Sequence, residues 1–220
     1  MKKVWKKILI AWIIIGSLLI SAFLFFHQET IATVMIDPGH GGYDVGAIGY
    51  DDSTYEKDLT LSLGRKIGYQ IKKINPKIKV VYTRNKDAVE WPSNESEDLR
   101  YRVQKAEKEN ADFYLSIHMN ASQNTQATGY SFHIRENDPL SQSIAKSMNR
   151  KFEKIHWSQS RGIVYTSHQP LYVVDHLEHS MLLETGFITN PKELDSLKSP
   201  LKQRKIAKAI AKAICENLTE

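Results

Sequence analysis

Four residues carry the chemistry this sequence suggests: His40, Glu56, His118 and Glu184. Zinc in a hydrolytic site is typically held by three protein ligands drawn from His and Glu, with a fourth position kept for water. His40, Glu56 and His118 supply such a set. Zinc would lower the pKa of its water to about 7 and polarise a scissile carbonyl. A carboxylate must then take the water's proton and pass it to the leaving nitrogen. Glu184 is the candidate, because it ends the apolar run Met181-Leu182-Leu183, where desolvation raises a carboxyl pKa toward the range of a general base. The spacing of the three ligands fits no compact motif such as H-E-x-x-H. Each must therefore come from a different element. Taken singly, Glu56 reads better as an acid at the positive end of a helix, and His118 as a polar residue at a sheet rim.

The elements that would position them alternate between strand and helix. A β-branched run, 33–37, predicts a first strand, stopped by Pro38 and Gly39 so that His40 sits on a tight turn. Ligands in open α/β sheets bind at the carboxyl ends of strands. Glu56 precedes an amphipathic helix over 57–74, with Leu59, Leu63, Ile67, Ile71 and Ile74 on one face. Strand 78–83, a polar loop 85–97 and helix 98–110 follow. Strand 112–118 again ends on a histidine. Strand 130–134, helix 139–155, short strands 162–166 and 171–174, strand 181–184, a short helix 192–197 and a last helix 201–218 complete the chain. The pattern predicts an α/β layer architecture with a largely parallel sheet.

The N-terminus is read separately. Lys2, Lys3, Lys6 and Lys7 precede nineteen uncharged residues, 8–26, a run of roughly 28 Å as a helix, close to bilayer thickness. The expectation is an uncleaved signal anchor over 1–27, a transmembrane helix holding the rest outside the cytoplasmic membrane. A cleaved, secreted form is the alternative; the apolar run is long for a signal peptide and lacks a clear small-x-small site. A short linker, 28–32, leads to one domain, 33–220. The four lysines account for most of the formal charge of +5, so the basic balance gives no warrant for a nucleic-acid surface. The glycines from 39 to 49 match no phosphate-binding motif, which argues against a nucleotide site. Cys215 is the single cysteine, so no intrachain disulfide can form.

The runs Ile36-Asp37-Pro38-Gly39-His40-Gly41-Gly42, Glu56-Lys57-Asp58, Ser116-Ile117-His118-Met119-Asn120-Ala121 and Glu184-Thr185-Gly186-Phe187-Ile188-Thr189-Asn190 occur in that order. Together they resemble the signatures of zinc-dependent N-acetylmuramoyl-L-alanine amidases. Thr83-Arg84, Leu99-Arg100 and Arg161-Gly162 are further matches, and the resemblance covers roughly residues 33–218. It implies an α/β sandwich with a mixed, largely parallel sheet flanked by helices on both faces, zinc on His40, Glu56 and His118, catalysis by Glu184, and hydrolysis of the amide between the muramic lactyl group and the first L-alanine of the peptidoglycan stem. A zinc peptidase cutting within the stem, and a non-catalytic wall-binding module, are the rival readings. An unidentified activator or a divisome or sporulation assembly is a further candidate partner.

Departures from the family pattern are His179-Ser180, where a Pro-Ala type pair is common, with His176 and Glu178 nearby. The short connection after Ile134 leaves no room for an inhibitory helical insert. Asp37 and Asn120 are candidates to orient a ligand imidazole. Arg84 and Arg100 are expected as structural ion-pair partners. His133, His156, His168, His176 and His179 are expected to have no metal role, and Trp91, Tyr43 and Tyr130 to serve packing or substrate contact.

Overall fold

The computed structural model describes residues 5, 10, 12–17, 29–89 and 94–219. The chain divides into two units, Met1–Thr30 and Ile31–Glu220. In the first, residues 12–17 are helical. The expected transmembrane helix over 8–26 is corrected: among the described residues no helix is long and apolar enough to cross a membrane. The lysine cluster and the end of that run, like Trp91, lie outside the described residues.

The second unit is a six-stranded mixed sheet with six helices. Strands β1 (Ala32–Pro38), β2 (Ile78–Tyr82), β3 (Phe113–Asn120), β4 (Tyr130–Ile134), β5 (Ser160–Tyr165) and β6 (Ser180–Phe187) lie in the order β2-β1-β3-β6-β4-β5. All neighbours are parallel except β4 and β6. The helices are α1 (Glu56–Ile74), α2 (Glu95–Lys108), α3 (Pro139–Lys154), α4 (Tyr172–His176), α5 (Pro191–Lys198) and α6 (Pro200–Leu218).

Alternation along the strands sorts the two faces. Val34, Ile36, Leu115, Ile117, Phe132, Met181 and Leu183 join one large core with Leu63, Ile67 and Ile71 of α1, Ile144 and Phe152 of α3, and Ile206, Ile210 and Ile214 of α6. Each such fully buried side chain contributes about 1.5–3 kcal/mol. On the opposite face a smaller cluster, Met35, Val103, Ala106, Tyr114 and Val173, seats α2 and α4. The remaining alternate residues of β3, β4 and β6 on that side are mostly polar, Ser116, His118, Ser131, His133 and Glu184, with Leu182 seated between Ser116 and His133. One face is therefore core throughout, and the other is part core and part site.

Local chemistry shifts several boundaries. The Asn94 side chain accepts hydrogen bonds from the Ser96 and Glu97 N–H groups, so α2 starts at Glu95 rather than at 98. Residues 171–174 are not a strand. Asp175 Oδ2 accepts the Leu171 N–H and the Asp175 N–H returns to the Leu171 carbonyl, closing the short helix α4 despite two valines. Strand β3 runs past His118 to Asn120, with a register shift between them, so His118 lies within the strand and does not close it.

Candidate metal centre and catalytic carboxylate

The turn after β1 is built to present His40. Its backbone is left-handed, with φ of 63°, a conformation uncommon for non-glycine residues. Arg84 fastens the turn from beneath: its Nε donates to the Pro38 carbonyl at 3.0 Å, and Nη2 to the Gly39 and Lys57 carbonyls at 2.9 and 2.8 Å. Arg84 is thus a clamp on carbonyls and not an ion-pair partner. The buried ion pair belongs instead to Arg102, whose Nη1 lies 2.5 Å from Asp37 Oδ1. Arg100 is exposed. Asp37 also accepts from the hydroxyls of Thr83 and Ser116. Burial alone would raise its pKa, but Arg102 and these hydroxyls hold it at about 2.

Glu56 is the first residue of α1 and is almost fully buried. Two backbone donors aim its carboxylate, Met119 N–H to Oε1 at 2.8 Å and Ala47 N–H to Oε2 at 2.9 Å. His118 comes from β3. One ligand atom from each of His40, Glu56 and His118 lies within 4.8 Å of the others, so the group could hold a metal ion. His40 Nε2 is 3.0 Å from Glu56 Oε2, and His118 Nδ1 is 3.2 Å from Glu56 Oε1. Two imidazoles and one carboxylate form the donor set of a hydrolytic zinc site.

The charges follow from this crowding. Burial disfavours the charged form of His40, but Glu56 and Asp44 outweigh it, and its pKa rises to about 9. Burial would likewise raise the Glu56 pKa. The two histidines instead hold it well below the usual carboxylate range. A divalent cation held by the three would supply positive charge directly against this carboxylate.

Glu184 reaches the same face from β6, paired with His118 of β3 on one side and Ser131 of β4 on the other. Adjacent strands are about 4.8 Å apart. Its Oε2 is buried and has no hydrogen-bond partner. Burial raises its pKa to about 7, with His118 and His40 opposing and Glu56 assisting. It lines a cavity of about 570 Å³ together with Asn120, Ser131, His133 and Arg161.

Asp44 is the partner that sequence reasoning missed. Its Oδ2 lies against His40 Nδ1, while Asp37 and Asn120, the residues expected to orient an imidazole, touch neither ring nitrogen. The signal was present in the Gly42-Tyr43-Asp44 turn, four residues after the histidine. His179 serves structure: its Nδ1 pairs with Asp138 Oδ1 at 2.9 Å, and Asp138 also caps α3.

A model of the N-acetylmuramoyl-L-alanine amidase family matches residues 34–216. The chain belongs to that family. It is a peptidoglycan hydrolase of the amidase type. The germination-specific N-acetylmuramoyl-L-alanine amidase of Bacillus subtilis is 30% identical over 199 residues, covering 85% of this chain and 80% of that one. Among solved structures, the catalytic domain of the amidase CwlV from Bacillus (Paenibacillus) polymyxa superposes with a TM-score of 0.75 at 32% identity, over 86% of this chain and 98% of that one. The CwlD amidase of Clostridioides difficile, solved in complex with the GerS lipoprotein, gives 0.77 at 28% identity, over 86% and 98%.

Proposed function

We propose that His40, Glu56 and His118 hold a zinc ion and that Glu184 is the proton carrier in hydrolysis of the lactyl–L-alanine amide of peptidoglycan. When bound, zinc would supply an activated water and a polarised carbonyl. The protein's own part begins with position. Glu56 is locked by two backbone N–H groups and His40 by Asp44, so the three donors converge without large rearrangement. Glu184 then takes a proton from the attacking water as the C–O bond forms, and returns it to the stem nitrogen as the C–N bond breaks. The products are a lactyl carboxylate and a free L-alanine amine. A carboxyl with a pKa near 7 is suited to both halves of this transfer.

The observation that carries this reading is the unpartnered, buried Glu184 Oε2 one strand away from His118. A buried carboxylate oxygen without a donor costs stability, and a role in proton transfer accounts for its retention. Peptidoglycan lies outside the cytoplasmic membrane, and we place the domain's action there. The complex of the C. difficile relative with a lipoprotein supports an extracytoplasmic protein partner for this chain as well.

The test is digestion of intact peptidoglycan by the zinc-loaded chain, with fragments identified by mass spectrometry. Free stem peptides beginning at L-alanine, lost on chelation and restored by zinc, are expected. Glu184→Gln should keep stoichiometric zinc and lose turnover. Stem-internal fragments would replace the amidase reading with a peptidase, and normal turnover by Glu184→Gln would remove Glu184 from the mechanism.

A further inference from the structure

The cavity beside Glu184 holds a second buried polar atom without a partner. In β4, Tyr130, Phe132 and Ile134 point into the core, which turns Ser131 and His133 to the site face. His133 is only 8% exposed. Its Nε2 lies 3.2 Å from Ser131 Oγ, and its Nδ1 has no hydrogen-bond partner. With Nε2 committed to Ser131, a neutral ring offers Nδ1 to one peptide N–H or C=O, depending on tautomer.

Arg161 is the one formal cation lining this cavity. Its Nη1 donates weakly to the Thr128 carbonyl at 3.3 Å, and its guanidinium sits 5.3 Å from the centre of the Phe187 ring. Among the described residues it has no carboxylate partner. The other lining side chains, Gln169 and Asn120 included, are neutral apart from Glu184. Such a wall matches a peptide carrying one negative charge.

Strand register sets the scale. Ser131 pairs with Glu184, and the irregularity between Tyr130↔Ser160 and Phe132↔Ile163 brings Arg161 and Gly162 opposite Ser131. Arg161 is therefore two strands from Glu184, roughly 10 Å across the sheet. An extended peptide advances about 3.5 Å per residue, so a group on the second residue past the cut falls between them. The leaving nitrogen, which Glu184 must protonate, belongs to the stem. The cavity on that side thus receives the stem rather than the glycan.

We propose that this cavity is the stem-peptide subsite, in which His133 Nδ1 hydrogen-bonds a stem peptide group and Arg161 selects a free carboxylate on the second stem residue over its amide. The proposal rests on the amidase reading. It assigns stem binding to His133 and substrate discrimination to Arg161, two residues that stand outside the metal group.

The experiment compares two soluble glycan-linked tripeptides, identical except that the second stem residue carries a free α-carboxylate or the corresponding amide. For the zinc-loaded full chain, kcat/KM should favour the carboxylate form by about tenfold, as expected for one charge-assisted hydrogen bond. Arg161→Gln should bring that ratio close to one. His133→Leu should raise KM on both substrates by about tenfold with zinc content unchanged, and His133→Asn, which restores a polar atom near the Nδ1 position, should recover much of the loss. A wild-type ratio near one, or an Arg161→Gln variant that keeps the preference, overturns the carboxylate subsite while leaving the amidase reading intact. Equal KM values for wild type and His133→Leu remove His133. Failure to release L-alanine amines from either substrate or from intact peptidoglycan overturns the amidase reading and this proposal with it.

Discussion

Asp44 Oδ2 lies 2.7 Å from His40 Nδ1, one turn of chain beyond the histidine it holds. The Gly46 N–H fixes the other oxygen of Asp44 at 2.9 Å. This carboxylate–imidazole contact keeps the proton on Nδ1 and leaves Nε2 to face Glu56. Partners of this kind raise metal affinity 10–100-fold. Asp44→Ala should therefore weaken zinc binding by about 10–100-fold with the fold retained. Competition against a chromophoric chelator measures it, and unchanged affinity would detach Asp44 from the site.

Gly39 is required by space. A Cβ there would stand 2.4 Å from the His118 ring, a separation no real pair of atoms tolerates. Gly39→Ala should push His118 out of line and lower zinc stoichiometry, while the large core on the opposite face keeps the thermal transition cooperative. Crystals of the variant with His118 unmoved and zinc fully bound would contradict this.

Metal removal should loosen the same region. The two imidazoles converge on the Glu56 carboxylate, and a bound cation would tie all three side chains to one centre. Zinc at one hundred times its dissociation constant should add about 2.7 kcal/mol, or roughly 5–10 °C in Tm for a domain of this size. His118→Ala should abolish most of that rise in a thermal melt with and without zinc. A rise of equal size in the variant would place the stabilising metal elsewhere.

Acid stability should depend on Asp37. Its carboxyl titrates at about 2 when folded, against about 3.9 in an unfolded chain. A lowered folded pKa contributes stability above the unfolded value, and that contribution disappears as pH falls from about 4 to 2. The buried pair with Arg102 makes the loss about 2 kcal/mol. Urea titrations across this window should show the slope in the wild type and a flatter one in Asp37→Asn. Parallel curves would show that other carboxylates dominate.

Much of the fold and the site was legible because it depended on local pattern. The apolar spacing of α1 and α6, the β-branched run of β1, and the proline stop before His40 all act within a few residues. The motifs single out His40, Glu56, His118 and Glu184, and the fold brings the first three together with Glu184 on the neighbouring strand. What escaped depended on distant contacts. Residues 171–174 have strand-like composition, but side-chain capping by Asp175 makes them helical. Arg102 rather than Arg100 meets Asp37 because the face of α2 that packs on β1 is fixed by Val103 and Ala106. Nothing in the spacing of Ser131, His133 and Arg161 marks them as one cavity; the antiparallel β4–β6 pairing and the β5 irregularity bring them together.

β6, the last of the six described strands in chain order, lies in the interior of the sheet. β6 separates β3 from β4, pairing with both, and it carries Glu184. A chain cut before Ser180 keeps His40, Glu56 and His118, but has two unjoined halves of a sheet and lacks Glu184, the proton carrier proposed above. Lytic activity is thereby tied to the insertion of β6: the cut that would harm a wall if made by a fragment needs the strand that also closes the sheet.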